Sequence, residues 1–390
     1  MTALNSHLSS TETFLRYPPR RDVVFVLGAG ASHPDGVPMQ QDILPMIVSG
    51  EIEEIATSLI GQQVNDFIRD NFFIKPGMAD YPRLEAIFGF LDYFIQQSES
   101  LSAKYPNAAI REIKENLIKI IHYIVNLRTD KSSYIYHLFW RAIQKHNRNV
   151  SIITLNYDTF LEQAFDFLFR KYGYIDYCIP LMNFDAANAM REFNFWINPR
   201  EPIPVHPDED PVPFKIIKVH GSLNWKYCNC CNQTLLTPWD RTIDLNRGKL
   251  IGHTYPDKEE YDYYCPLDGT EFQTLIMPPS YIKSLNHPVI AQLLGEASRE
   301  IRCTKRIVFI GYSLSDADVH IKSLFKKHVQ PDVELVVINI KNPASLKEQY
   351  CTLSENIRFV RRPFEKIVHD DLFMKRLLQT EQSVQGMGEG

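Results

Sequence analysis

Residues 150–158 read VSIITLNYD, an apolar run that ends in Asn156, Tyr157 and Asp158. The run is short, rich in Ile and Val, and hardly alternates with polar residues. That pattern belongs to a strand covered on both faces, as in a parallel sheet flanked by helices. A second apolar run, FLEQAFDFLF, starts at Phe160. Asn156 and Asp158 therefore stand where a buried strand gives out. An Asx turn or a helix N-cap accounts for one of them, most easily Asp158. It does not account for both.

Four further runs have the same character: VVFVLG from Val23, FKIIKVHG from Phe214, RIVFIGYS from Arg306 and VELVVIN from Val333. Five such strands predict an α/β fold, a Rossmann-like parallel sheet flanked by helices. Ligands of open parallel sheets sit beyond the carboxyl ends of the strands, where the strand order reverses. The five tails here are GAGAS, NYD, HGS, GYS and IN. If they converge, one crevice gains a glycine turn, an amide, a carboxylate and an imidazole.

Between the first two runs, Ile110, Ile113, Leu117, Ile120, Ile121 and Ile124 follow helical spacing, as do the apolar positions of PRLEAIFGFLDYFIQQ. SSYIYHLFWRAIQKH reads as a helix capped by Ser132 or Ser133. Residues 41–145 are thus expected to form a large helical insertion. Residues 185–282, with many prolines, aromatics and cysteines, are expected to form an irregular lobe. Both belong to one domain over 21–378, with a flexible N-terminus at 1–20 and a disordered tail at 379–390.

Composition narrows the class. The chain has 390 residues, 44% hydrophobic and 23% charged, which suits one large globular domain with insertions. A net charge of −5 argues against broad attraction to nucleic acid or acidic membrane, though it leaves a local basic patch open. No apolar run approaches the ~20 residues of a membrane span, and the polar N-terminus has no hydrophobic signal core, so the expected compartment is the cytoplasm. In that reducing setting the crowded Cys228, Cys230 and Cys231 point to a metal or to nothing special rather than to disulfides.

In VLGAGASHPDGVP, Gly28 and Gly30 permit a tight turn whose backbone N–H groups can cradle a pyrophosphate. The third glycine of the dinucleotide fingerprint is absent. No acidic residue closes a second strand ~20 residues on, which speaks against a hydride-transfer dehydrogenase. His220, in KVHGSLNW, follows a strand and precedes a glycine; alone, such a histidine is more often structural than catalytic.

Taken together and in order, GAGAS with GVP, TLNYD, VHGS, GYSLSD and VVIN resemble the sirtuin superfamily. The GYSLSDADVHI form and the long insertion are similar to the sirtuin-like NADases of bacterial antiphage defence, some of which pair with a HerA-type ATPase. This resemblance implies NAD as substrate, with Gly28, Ala29, Gly30, Ala31 and Ser32 at the pyrophosphate. Gly311 and Ser313 would meet phosphate or adenosine ribose, Asn339 the adenosine end, and Asp158 the nicotinamide amide. Asn156 and His220 would be catalytic. It implies hydrolysis of NAD to nicotinamide and ADP-ribose, with protein deacylation or non-enzymatic sensing of NAD or ADP-ribose as alternatives. A homo-oligomer and a HerA-type partner are the expected assemblies; nucleic-acid binding is left open, as is selectivity among NAD, NADP and cyclic relatives.

Two departures bear on this. The arginine that follows the family's GIP segment is missing from GVPMQQDIL. The family's two CxxC pairs are reduced to Cys228 and Cys231 with Cys265 and Asp268. Three thiolates with a carboxylate, or with Cys230, suffice for tetrahedral zinc, but the reading preferred from sequence is a decayed ribbon held by packing, with no metal.

Overall fold

The computed structural model describes residues 13–74, 81–165, 173–182, 196–197, 204–206, 208, 210–237, 242–253, 259–283 and 285–380. Residues 1–12 of the expected flexible N-terminus and 381–390 of the expected tail lie outside these, as does part of the 185–282 lobe.

Eight strands form the main sheet: β1 (Arg21–Leu27), β2 (Val150–Thr154), β3 (Gly173–Asp176), β4 (Trp196–Ile197), β5 (Val212–Lys218), β6 (Thr304–Ile310), β7 (Glu334–Asn339) and β8 (Ile357–Arg361). Their order is β8-β7-β6-β1-β2-β5-β3-β4, and every neighbouring pair is parallel. The five apolar runs are its contiguous centre, β7-β6-β1-β2-β5. Val23 to Val26 and all of β2 are buried, as two-sided helical cover requires. The α/β, Rossmann-like reading holds.

Chain order reverses at β1. Its neighbours are β2 on one side and β6 on the other, so the carboxyl end of β1 is the switch point where such sheets open a crevice.

Among the described residues, β1 leads through the short helical turns Ala29–Ser32 and His33–Asp35 into six further helices before β2: Gln40–Val48, Glu53–Thr57, Leu59–Asn71, Leu84–Gln97, Asn107–Thr129 and Tyr134–His146. Asn107–Thr129 buries the apolar stripe read from the sequence, Ile110 through Ile124. Ser133 caps Tyr134–His146 by accepting from Tyr136 N at 3.1 Å.

Past β5 the chain turns sharply. Gly221 takes φ +85°, and a Cβ there would meet Leu275 O at 1.9 Å. The turn redirects the chain out of the main sheet into a second, antiparallel one, built from Gly221–Tyr227 with Thr234–Leu236 and Gln273–Ile276. His220 is thereby fixed at the junction of sheet and lobe. A third small sheet joins Thr242–Asp244, Lys249–His253 and Glu260–Asp262.

Candidate functional site

A cavity of about 680 Å³ opens beyond the carboxyl ends of β1, β2, β5, β6 and β7. That is the size range of cofactor pockets, ~300–1,000 Å³. Ile43, Ile121 and Val125 of the helical insertion line it as well, so the insertion supplies an apolar wall to a site built on strand ends.

Its floor is an interlock of glycines. A Cβ on Gly28 would lie 2.6 Å from Gly311 O, and one on Gly30 would lie 2.8 Å from Gly311 Cα. Gly311 itself has φ +62° and stands against Ala31 N. The turns after β1 and β6 can touch only because all three lack side chains. The amides of the first turn are largely spent in holding this contact. Gly28 N donates to Ile310 O, Gly30 N to Gly311 O and Ala31 N to Gly28 O. The turn therefore offers close backbone approach more than the open cradle of donors expected from its sequence.

Asn156 locks the same turn from β2. Its Nδ2 donates to Gly28 O and to Ser32 Oγ, both at 3.1 Å, while its own N–H is held by Thr154 Oγ1. With both amide hydrogens used, Oδ1 is left without a donor among the described residues, on a residue that lines the cavity. The side chain can thus accept a hydrogen bond from a ligand or a water.

Asp158 shows both readings at once. Oδ1 accepts from Phe160 N at 3.2 Å, the Asx-type bond that opens the short helix Phe160–Gln163. Oδ2 is buried and no donor meets it at hydrogen-bond distance and angle, although the Ser32 hydroxyl is close enough to favour the carboxylate, and the residue lines the cavity. Burial pushes this carboxyl above its ordinary range, with nearby Lys218 pulling the other way. Lys218 is itself committed to Asp158 O and to Glu162 Oε1, at 2.5 and 2.8 Å. An orphaned carboxylate oxygen is costly, and a ligand N–H would relieve it.

His220 shares the cavity with Asn156. Its Nε2 lies 3.2 Å from His320 Nε2 and 3.7 Å from Asp318 Oδ1. Asp318 is held on Oδ1 by Lys283 at 2.6 Å and on Oδ2 by the Tyr312 hydroxyl at 3.1 Å. Burial, then the Lys283 charge, drives His220 down from 6.5 to about 3, against the opposing pull of Asp318. The same causes take His320 to about 4. Burial raises Asp318, but its neighbours outweigh burial and hold the carboxyl below its ordinary range; at neutral pH the charged one among them is Lys283, 2.6 Å from Oδ1. Both imidazoles are neutral at neutral pH and retain a lone pair, as a base requires.

Of the residues named from sequence, Gly28, Ala29, Gly30, Asn156, Asp158, His220, Gly311, Ser313 and Asn339 line the cavity. Ala31 and Ser32 do not. They are fully buried beneath the turn, where Ser32 Oγ meets Tyr136 OH at 2.8 Å. Asn339, like Asn156, spends its Nδ2 on the fold, donating to Tyr312 O at 3.1 Å. Sequence reasoning missed Lys283, Asp318, His320, Lys341 and Arg362. Asp318 and His320 lay inside GYSLSDADVHI, read only as a motif; Lys283 and Lys341 sit in loops with no pattern to mark them. Lys283, Lys341 and Arg362 line the cavity and bring the positive charge that the missing arginine withholds.

A second cluster lies in the lobe. Cys228 Sγ is 3.3 Å from Asp268 Oδ2, Cys231 Sγ is 3.7 Å from Cys265 Sγ, and all four ligand atoms fall within 4.8 Å of one another. A tetrahedron with Zn–S bonds of about 2.3 Å has edges of about 3.8 Å. Cys228, Cys231, Cys265 and Asp268 could therefore accommodate a structural zinc ion, while Cys230 is exposed and not part of the cluster.

A family model described as a SIR2-like domain matches residues 150–330, the segment that carries Asn156, His220, Gly311 and Asp318. No curated protein matches the chain. Among solved structures, a Sir2 homologue in complex with NAD is 13% identical, with 92% of this chain and 90% of that one covered, at a TM-score of 0.44. A mutant Sir2 homologue in complex with ADP-ribose is 12% identical, with 95% and 96% covered and a TM-score of 0.43. Another mutant, with 2′-O-acetyl ADP-ribose, is 12% identical, with 93% and 95% covered and a TM-score of 0.46.

Proposed function

We propose that the cavity binds NAD and that the chain hydrolyses its nicotinamide–ribose bond to nicotinamide and ADP-ribose. The observation that carries this reading is the meeting of Asn156 and His220 on one cavity at the switch point, with the unsatisfied Asp158 oxygen beside them. The SIR2-like match over the same segment supports it.

The chemistry asks little of the protein. As the glycosidic bond lengthens, positive charge builds on the ribose, as in glycoside hydrolysis. Nicotinamide leaves with the bonding electrons as a neutral molecule, so no acid is needed. What is needed is orientation and water. Asp158 Oδ2 accepts from the nicotinamide carboxamide, which turns the ring. Asn156 Oδ1 accepts from the attacking water or a ribose hydroxyl. His220 takes the proton released when the water oxygen bonds to the sugar. Lys283, Lys341 and Arg362 set the field for the pyrophosphate, and Asn339 and Ser313 serve the adenosine half.

One observation favours a second reading. The ligand atoms of Cys228, Cys231, Cys265 and Asp268 lie within 4.8 Å of one another, so the lobe that shapes a peptide groove in deacylases keeps a set of residues that could hold a metal. Protein deacylation thus belongs in the test. A defence role, self-association and a HerA-type ATPase partner form part of the proposal through the GYSLSD form and the insertion. An NADase active at all times would be toxic, so the assay is run with and without such an ATPase.

The experiment follows nicotinamide release from NAD by the full chain. A positioned base contributes ~10²–10⁴-fold, and His220→Ala is expected to lose that much with its thermal transition intact. His220→Ala turning over at the parent rate removes His220 from the chemistry. Release that depends on an acylated peptide, with O-acyl-ADP-ribose as product, replaces hydrolysis by deacylation.

A further inference from the structure

The mechanism above leaves His320 and Asp318 without a chemical task and gives Lys283 only a part in the field at the pyrophosphate, although His320 and Asp318 crowd the base and Lys283 pairs with Asp318. Their geometry fixes a proton. Two imidazoles with nitrogens 3.2 Å apart hydrogen-bond only if one donates and the other accepts. The Leu155 backbone also favours the protonated His220 ring, as a nearby carbonyl does, and a carbonyl can only accept. With Nε2 facing His320, Nδ1 is the nitrogen left for a carbonyl acceptor, and the His220 proton is assigned to it. His220 Nε2 is then the lone pair, and His320 Nε2–H is the donor.

This has a direct consequence for catalysis. His220 lines the cavity and His320 does not, so the one basic nitrogen of His220 is engaged by a neighbour behind the wall. We propose that His320 is a positioning residue that holds His220 Nε2 in reserve, and that this bond is traded for the attacking water or a ribose hydroxyl when substrate enters. The inference rests on reading the cavity as the NAD site.

The remaining groups fit that role. When the water O–H proton passes to His220 Nε2, its oxygen bonds to C1′ and the C1′–N pair leaves with nicotinamide. His220 is then an imidazolium. Asp318 Oδ1 stands 3.7 Å from the new charge, held there by Lys283 and Tyr312. Lys283 opposes the charge, so the proton is readily returned. His320 sits at the start of the helix Val319–His328, whose N-cap residue is Asp318; one short segment thus carries both the reserve donor and the counter-charge.

The test uses the full chain with ¹⁵N-labelled histidine, the parent against His320→Ala and His320→Gln, with His220→Ala to assign the signals. The ring nitrogens of parent His220 are expected to show the Nδ1–H tautomer with a hydrogen-bonded Nε2. In His320→Ala the Nε2 signal moves to that of an open nitrogen. KM for NAD falls about two- to tenfold, the worth of one hydrogen bond, with kcat little changed. His320→Gln, which can still donate, returns both to parent values. An Nε2–H tautomer for His220, or an Nε2 signal and a KM unmoved in His320→Ala, overturns the proposal. Absence of NAD turnover in every variant counts against the function proposed for the cavity, and the nitrogen signals then decide the His320 bond on their own.

Discussion

The same sheet buries two charged networks at its opposite ends, and they differ in whether their valences are filled. Near the amino ends of the strands, Glu300 accepts from Arg21 Nε at 3.3 Å, from Lys215 Nζ at 2.8 Å and from Ser151 Oγ at 2.6 Å. Arg21 donates again to Pro213 O, and Lys215 reaches Glu296. Burial works against the Glu300 carboxylate, yet Lys215 and Arg21 hold it below its ordinary range. At the carboxyl ends, Asp158 Oδ2 has no partner, Asn156 Oδ1 has no donor, and two histidines are kept neutral in contact. One network is closed on itself, with Arg21 Nη1 its loose end. The other is incomplete without a ligand. A buried polar cluster earns a functional reading from its unfilled positions rather than from its charges.

The sharpest attempt to break this contrast is Glu300→Ala. It leaves Arg21 buried without a carboxylate and Lys215 with Glu296 alone, and is expected to cost about 3–5 kcal/mol, read from urea denaturation. NAD turnover per folded molecule should stay at the parent value. A stable but inactive Glu300→Ala protein would place function at the wrong end of the sheet.

Acid should separate the two networks in a smaller and graded way. His220 and His320 titrate near 3 and 4 when folded and near 6.5 when unfolded. Between pH 6.5 and about 4 the unfolded chain therefore binds more protons, and stability falls as pH falls through that window. Glu300 has the opposite chemistry and the same sign. Its folded value is depressed from 4.5, so its contribution is present above 4.5 and lost only below. Replacing both histidines by Gln should lower the slope in the upper window by about two protons and leave the lower one intact. An unchanged slope above pH 4.5 would mean that the crevice histidines are not held neutral.

What the sequence made legible follows the same division. Strands buried on both faces write continuous apolar runs, and all five of those runs are central strands. Ile357–Arg361 was missed because this edge strand is half-exposed and Arg358 and Arg361 interrupt its apolar residues; Gly173–Asp176 is too short to register. Single side chains at strand ends, Asn156 and His220, were visible because the apolar run beside them stops. The groups that complete the site were not. Lys283 comes from a loop, Asp318 and His320 from a helix start, and only the fold brings them within 4 Å of one another or of His220. The glycine turn was read as a set of free donors; its amides are occupied because Gly311, some 280 residues away, docks against it.

The smallest expected effect on stability is also the most discriminating. Asp158→Asn keeps an acceptor for Phe160 N at the place of Oδ1 and puts an amide where Oδ2 now lies buried without a partner. It gives up attraction to Lys218, which retains Glu162, and weakens the contact with the Ser32 hydroxyl, while it removes repulsion from that same Glu162 and the cost of a buried charge. These changes oppose each other, so stability should move by no more than about 1 kcal/mol. A ligand that donates to Oδ2 would meet a donor instead, and nicotinamide inhibition of the enzyme should weaken tenfold or more. If Asp158→Asn costs as much stability as Glu300→Ala and leaves nicotinamide inhibition untouched, the vacancy beside Asp158 is structural, and the line drawn here between a filled and an unfilled network does not mark function.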